Sequence, residues 1–281
     1  YTAYQPDPRW TNRNYSVIRL YDIHTGEQRQ VTTRSAFFSP DINESGTEVL
    51  AVQVKPDGTN RICRIDASTG NILKEVPNPR NYFFTQTKYL DAQTAITAAR
   101  NPQGNMVLMK INLEDGTMDN ITPFSFNVMG YPLVKGDTVY FSAMQGNADK
   151  IFAVTIKSNK LFKLTNNVNG VYHPAVNAKA EMVVSAFTSS GHRLARYRPE
   201  DLAWKPVAPV EFVVGNVQYY ADSMLTIPGA GALYGLRDQR FEDTETGRAQ
   251  HKVTKYRKSF RLFNFHSWRP VVDDPEFGYA L

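Results

Sequence analysis

Along the first two hundred residues the apolar positions fall in short alternating runs, the period of two that a half-buried β-strand imposes. Ile62-Cys63-Arg64-Ile65, Val107-Leu108-Met109-Lys110-Ile111 and Ile151-Phe152-Ala153-Val154 are such runs. Each leads into a turn with Gly or Asn at its tight position, and these turns recur as His24-Thr25-Gly26-Glu27, Ser68-Thr69-Gly70-Asn71, Glu114-Asp115-Gly116-Thr117 and Lys157-Ser158-Asn159-Lys160. The markers at 26, 70, 116 and 159 are separated by 44, 46 and 43 residues. After each turn comes a short polar strand ending near Thr or Pro, so one hairpin is repeated four times.

Upstream of the hairpins lie strands rich in small and apolar residues: Leu50 to Val54, Ala95 to Ala99, Val139 to Ala143 and Val183 to Phe187. A further strand precedes each, as in Tyr172-His173-Pro174-Ala175-Val176. Four strands repeating every 40 to 45 residues are the sign of β-propeller blades. The spacing predicts an all-β propeller with four complete blades at about 33–78, 79–123, 124–166 and 167–207. A truncated blade precedes them, because Tyr1-Thr2-Ala3-Tyr4 matches the second strand Phe141-Ser142-Ala143-Met144. The pattern thus expects 18 main strands, the small residues of each second strand facing the axis, and a propeller that extends upstream unless residues 208 to 227 complete the blade.

Composition agrees with strands. Tyr and Phe number 15 and 16, a bias toward half-buried pleated surface. The single Cys63 has no disulfide partner and reads as a core residue. No run of about 18 apolar residues is present, and a targeting signal, if the protein has one, would lie upstream of Tyr1.

Ser39-Pro40-Asp41-Ile42-Asn43-Glu44-Ser45-Gly46, followed by the apolar strand Glu48 to Val52, resembles the Ser-Pro-Asp-Gly-Lys signature of TolB-like (WD-repeat-like) propeller repeats. Tyr131-Pro132 and His173-Pro174 keep the proline in later blades, while the blade at 79–123 has Lys88-Tyr89-Leu90 in place of the motif. The resemblance implies fold; a propeller alone does not specify a function.

After residue 207 the period stops, and Pro206, Pro209, Pro228, Gly229, Gly231 and Gly235 mark a linker over 208–254. From Arg248 to Arg269 the charged residues are all basic: Arg248, Lys252, Lys255, Arg257, Lys258, Arg261 and Arg269. Removing these seven from 32 leaves 25 basic against 27 acidic residues, so this segment carries the whole positive balance. Phe260, Leu262, Phe263, Phe265 and Trp268 interleave with the cations. Three readings fit that mixture: a nucleic-acid surface, a membrane interface, or an element packed on the propeller with solvated charges.

A second resemblance chooses among them. Lys255-Tyr256-Arg257-Lys258, Leu262 to Pro270 and Asp274-Pro275-Glu276-Phe277-Gly278-Tyr279 resemble the junction that joins a TolB-like propeller to a surface-antigen-type β-barrel in large Gram-negative outer-membrane proteins. It implies that 255–281 lead into a barrel absent from this chain, that Lys255, Arg257, Lys258, Arg261, Phe263 and Trp268 lie at the membrane or barrel junction, and that the propeller is periplasmic. No nucleic-acid partner is expected.

Neither a Gly-x-Ser-x-Gly elbow, nor His-Glu-x-x-His, nor a P-loop occurs. Asp41-x-Asn43-x-Ser45-Gly46 imitates the start of a calcium loop, but its twelfth position is Val52, where a bidentate Glu would be required. The histidines at 24, 173, 192, 251 and 266 are scattered. No catalytic residue, metal or cofactor is assigned. The sequence therefore points to a non-enzymatic binding domain that meets a protein or a cell-envelope ligand on one propeller face, with an accessory, substrate-gating propeller of a peptidase as the rival. Trp10, flanked by Arg9 and Arg13 in an apparent loop insertion from Gln5 to Asn14, is expected partly exposed, sharing a face with Tyr82 or Tyr172; His173 sits near the channel mouth.

Overall fold

In the computed structural model the described residues are 1–7, 10–146, 148–208, 273–274 and 279–280. The repeated turns take the conformation their residues suggested: Gly26, Gly70 and Gly116 have φ of 75°, and Asn159 has φ of 49°. The three glycine turns are also pinned from the side. Asp22 Oδ1 accepts the backbone N–H groups of His24 and Thr25, Asp66 Oδ1 those of Ser68 and Thr69, and Asn112 Oδ1 those of Glu114 and Asp115. At Gly70 and Gly116 space adds a second constraint, since a Cβ would lie 1.9 Å from the Val31 carbonyl oxygen or 2.4 Å from that of Pro77.

The hairpins assemble into five consecutive antiparallel sheets. The first holds β1 (Thr2–Asp7), β2 (Trp10–Tyr21) and β3 (Gln28–Gln30). The second holds β4 (Phe37–Ile42), β5 (Glu48–Val54), β6 (Asn60–Asp66) and β7 (Ile72–Glu75). The third holds β8 (Phe83–Tyr89), β9 (Thr94–Arg100), β10 (Met106–Asn112) and β11 (Met118–Asn120). The fourth holds β12 (Met129–Lys135), β13 (Thr138–Gln145), β14 (Ala148–Thr155) and β15 (Lys160–Lys163), and the fifth β16 (Val171–Val176), β17 (Met182–Thr188) and β18 (Gly191–Tyr197). The all-β propeller and the 18 strands in order agree with the sequence. The blade at 167–207 differs: after a 3₁₀ turn at Pro199–Asp201, β19 (Lys205–Pro206) pairs with β15 of the preceding blade, so the fifth sheet keeps three strands.

A hydrophobic core lies between each pair of neighbouring blades. Ile18, Phe37, Val49 and Ile65 fill the first interface; Leu50, Ile62, Phe84 and Met109 the second; Leu108, Phe141 and Phe152 the third; Tyr140, Ile151, Val171 and Met182 the fourth. The expectation that small second-strand residues face the axis is corrected here. The first strands β4, β8, β12 and β16 are innermost and touch in succession, whereas Ala51, Ala95, Ala99 and Ala143 are buried between blades, where they let the sheets approach. Thr32, Thr122 and Thr165 repeat one polar detail in that core: each buried hydroxyl accepts a backbone N–H, from Ile18, Leu108 and Ile151.

The apparent insertion Gln5 to Asn14 is mostly ladder and not loop, because Gln5 pairs with Tyr15, Pro6 with Asn14 and Asp7 with Trp10. The chain divides into two units, 1–228 and 229–281. In the second, β20 (Asp273–Asp274) pairs with β21 (Tyr279–Ala280). No helix among the described residues is long and apolar enough to cross a membrane, which leaves β-barrel spans unaddressed.

Candidate functional site

All four innermost strands bulge at the same place. The register shifts between Phe38 and Asp41 in β4, Thr85 and Lys88 in β8, Gly130 and Leu133 in β12, and Tyr172 and Ala175 in β16. At the centre of each bulge a residue other than glycine takes a left-handed conformation: Ser39 (φ 50°), Gln86 (52°), Tyr131 (55°) and His173 (54°). Such a conformation costs about 1 kcal/mol or more per residue. Its recurrence in four blades makes it a property of the repeat, with the side chain at each bulge left free to differ.

These four residues line one recess of about 410 Å³, together with Pro40, Lys88, Pro132, Leu133 and Pro174. Two further recesses adjoin it and share its residues. One, of about 440 Å³, is lined by Tyr131, Tyr172, His173, Ser185, Phe187 and His192. The other, of about 400 Å³, reaches past Gln86 and Tyr131 to Ser142, Asp149 and Tyr172. Tyr131 belongs to all three, so they form one cleft along the inner strands.

Two glycines make room for it. A Cβ on Gly130 would lie 2.4 Å from Gln86 Oε1, which accepts the Tyr131 N–H and ties the third blade to the fourth. A Cβ on Gly170 would lie 2.4 Å from the Tyr172 hydroxyl and 2.8 Å from its ring, so Gly170 fixes where that ring stands. Around the fourth and fifth blades the rings meet at steep angles: Tyr131 on His173 at 80°, Tyr172 on His192 at 69° and Phe187 on His192 at 63°. Tyr131 is 41% exposed and Phe187 51%, so the rings stand open to solvent.

Burial pushes the Asp149 carboxyl up from its ordinary value, while a hydrogen bond from the Tyr172 hydroxyl draws it partly back. Burial and the neighbouring carboxylate hold the Tyr172 phenol above its ordinary value. His173 is held below the ordinary imidazole value by burial, then by His192. Ser142 is 2% exposed and its hydroxyl has no hydrogen-bond partner among the described residues. The Ser185 hydroxyl lies 3.3 Å from His192 Nδ1, a nucleophile–base pair in type, but no carboxylate among the described residues is bonded to that histidine. No group of three His, Cys, Asp or Glu able to hold a metal occurs among the described residues.

A further recess, about 890 Å³, lies elsewhere, around Asp41, Asn43, Glu48, Arg64, Tyr89 and Asp91. Most of its charged groups are already engaged. Asp41 holds Lys88, Glu48 holds Arg64, and Asn43 Oδ1 accepts the N–H groups of Thr47 and Glu48. The calcium-like pattern at Asp41 and Asn43 is thus a tight turn that spends its oxygens inside the protein.

Of the contact residues expected from sequence, Tyr172 and His173 come together in the cleft. Tyr82 does not: it is 8% exposed, packed at 6.0 Å against Phe124 between the second and third blades, because Asn78 grips its backbone and turns the ring inward. Arg9 and the side chains of Trp10 and Arg13 lie outside the described residues, as do Lys255, Arg257, Lys258, Arg261, Phe263 and Trp268. Ser39, Gln86 and Tyr131 were missed in sequence. The residue before proline in Ser39-Pro40, Tyr131-Pro132 and His173-Pro174, at repeat spacing, was the available signal. Asp149, Ser185, Phe187 and His192 form no linear motif.

No protein-family model matches the chain, and no curated protein matches it. Solved structures do. A TolB from Agrobacterium tumefaciens superposes with a TM-score of 0.57 at 13% identity, over 68% of this chain and 69% of that one. TolB from Acinetobacter baumannii gives 0.56 at 18% identity, over 70% of this chain and 49% of that one, so the chain spans about half the length of this relative. A puromycin-hydrolyzing peptidase of Mycobacterium tuberculosis gives 0.50 at 11% identity, with 32% of its chain covered. The fold is that of a TolB-like β-propeller.

Proposed function

We propose that the chain is a non-enzymatic interaction propeller, lying in the periplasm and anchored to the outer membrane through its C-terminal junction, that grips a partner in the inner-strand cleft. The observation that carries the cleft is the set of four left-handed bulges, which bring Ser39, Gln86, Tyr131 and His173 to one recess on a rigid scaffold. Exposed aromatic rings on rigid elements are the common anchors of protein interfaces. The location rests on the resemblance of residues 255–279 to a propeller-to-barrel junction. The rival role, an accessory propeller gating substrate for a peptidase, draws only on the shared fold with the puromycin-hydrolyzing enzyme.

Site-specific photocrosslinking in Gram-negative cells tests the proposal. A photoreactive residue replacing His173 should give a discrete covalent adduct with an envelope component, and the same residue replacing exposed Ile72 on an outer strand should not. Equal labelling at both positions, or none at either, refutes the cleft as the contact. Cleavage of peptides by the full chain would contradict the non-enzymatic reading.

A further inference from the structure

The angles between the rings narrow the chemistry of what the cleft accepts. The pairs Tyr131–His173, Tyr172–His192 and Phe187–His192 meet at 63° to 80°, and all five rings line one recess, so they wall it from several sides and do not form the flat platform on which a sugar or a base stacks. A box of ring faces attracts a compact cation, because each face carries the negative lobe of its quadrupole. Asp149 reinforces that field. Its carboxylate lines the adjoining recess beside Tyr172 and adds negative charge next to the ring that walls the box. Gly170 leaves room for the ring at that place, and the Ser142 hydroxyl, without a hydrogen-bond partner among the described residues, lines the adjoining recess.

The cations already present do not fill the box. Lys88 reaches the adjoining recess but is held by Asp41 at 2.9 Å. Lys150 follows Asp149 on β14 and so points to the other face of the sheet.

We propose that the recess between the fourth and fifth blades is an aromatic box for one alkylammonium group, presented as a lysine side chain by the bound partner. This rests on the reading of the cleft as a partner site, and it adds the class of group recognised.

Binding of n-butylammonium to the full chain, followed by ¹H–¹³C spectra of tyrosine-ring-labelled protein, tests it against 1-butanol, a neutral molecule of the same shape. Saturable shifts at the Tyr131 and Tyr172 rings are expected from the ammonium and not from the alcohol. Asp149→Asn should weaken binding about fivefold, the size of one cation–π contact. Tyr172→Phe, which keeps the ring and loses the hydroxyl, should weaken it by a similar factor, and unchanged melting curves would show that both variants are folded. Equal binding of 1-butanol, or undiminished binding by Asp149→Asn, overturns the proposal. Silence toward butylammonium also overturns it, but if the photoreactive residue at 173 still captures its partner, the partner-site reading survives and only the chemistry is wrong.

Discussion

The Asp41 carboxylate reaches from the second blade to the third, where Oδ1 lies 2.9 Å from the Lys88 ammonium and Oδ2 accepts the Tyr89 N–H at 2.9 Å. A single side chain of the Ser-Pro-Asp segment thus stitches two innermost strands together beside the cleft. Asp41→Ala is expected to lower unfolding stability by about 1–3 kcal/mol, most of it from the Tyr89 N–H left without its acceptor. The Lys88 part of the contact is partly exposed and screened, so Lys88→Met alone should cost less than about 1 kcal/mol. Urea denaturation of both single variants and the double checks this; equal costs for the two single changes would contradict it.

Gly70 and Gly46 separate two reasons for glycine. Both have positive φ, 75° and 72°, but a Cβ at Gly70 strikes the Val31 carbonyl while one at Gly46 meets nothing within 4 Å. Gly46→Ala should cost about 1 kcal/mol from conformation alone, and Gly70→Ala clearly more, because the turn must leave the neighbouring blade. Thermal melts of the two variants decide it, and similar losses would show that the inter-blade contact is slack.

Acidification should weaken ammonium binding. His173 protonates only below the ordinary imidazole value, so the positive charge it adds to the box appears only at a pH below that value. The raised Asp149 carboxyl begins to lose its charge at a higher pH than a free aspartate, which acts in the same direction. Titration of butylammonium at about pH 7.5 and about pH 5 should show the weaker binding at the lower value; stronger binding there would contradict the assignment.

The basic aromatic tail carries the membrane part of the proposal. The full chain should sediment with anionic vesicles more strongly at low salt than at high salt, and a chain truncated after residue 247 should not. Equal binding by both chains would remove the tail from the membrane.

Blade spacing was legible because each hairpin turn must place Gly or Asn in a left-handed position, and that requirement repeats at 26, 70, 116 and 159. Which strand is innermost was not legible. Ala95 to Ala99 are small because two sheets meet over them, and a small residue at a blade interface looks in sequence like one at the axis. The swap of β19 onto β15 was hidden for a similar reason, since a two-residue strand has no period. Of the cleft, the two residues nearest a motif, Tyr172 and His173, could be found. Asp149, Phe187 and His192 come from the edges of other strands, and only the fold brings them together.

The most direct test of the central claim, that the inner-strand cleft is where this propeller meets its partner, is calorimetric titration of the full chain with the component captured by crosslinking at position 173. Tyr131→Ala with His173→Ala should weaken that binding by about a hundredfold, as loss of anchor residues does, while Ile72→Ala with Leu73→Ala on the outer rim should leave it within about twofold. Unchanged affinity in the cleft variant, or an equal loss in the rim variant, would contradict the account.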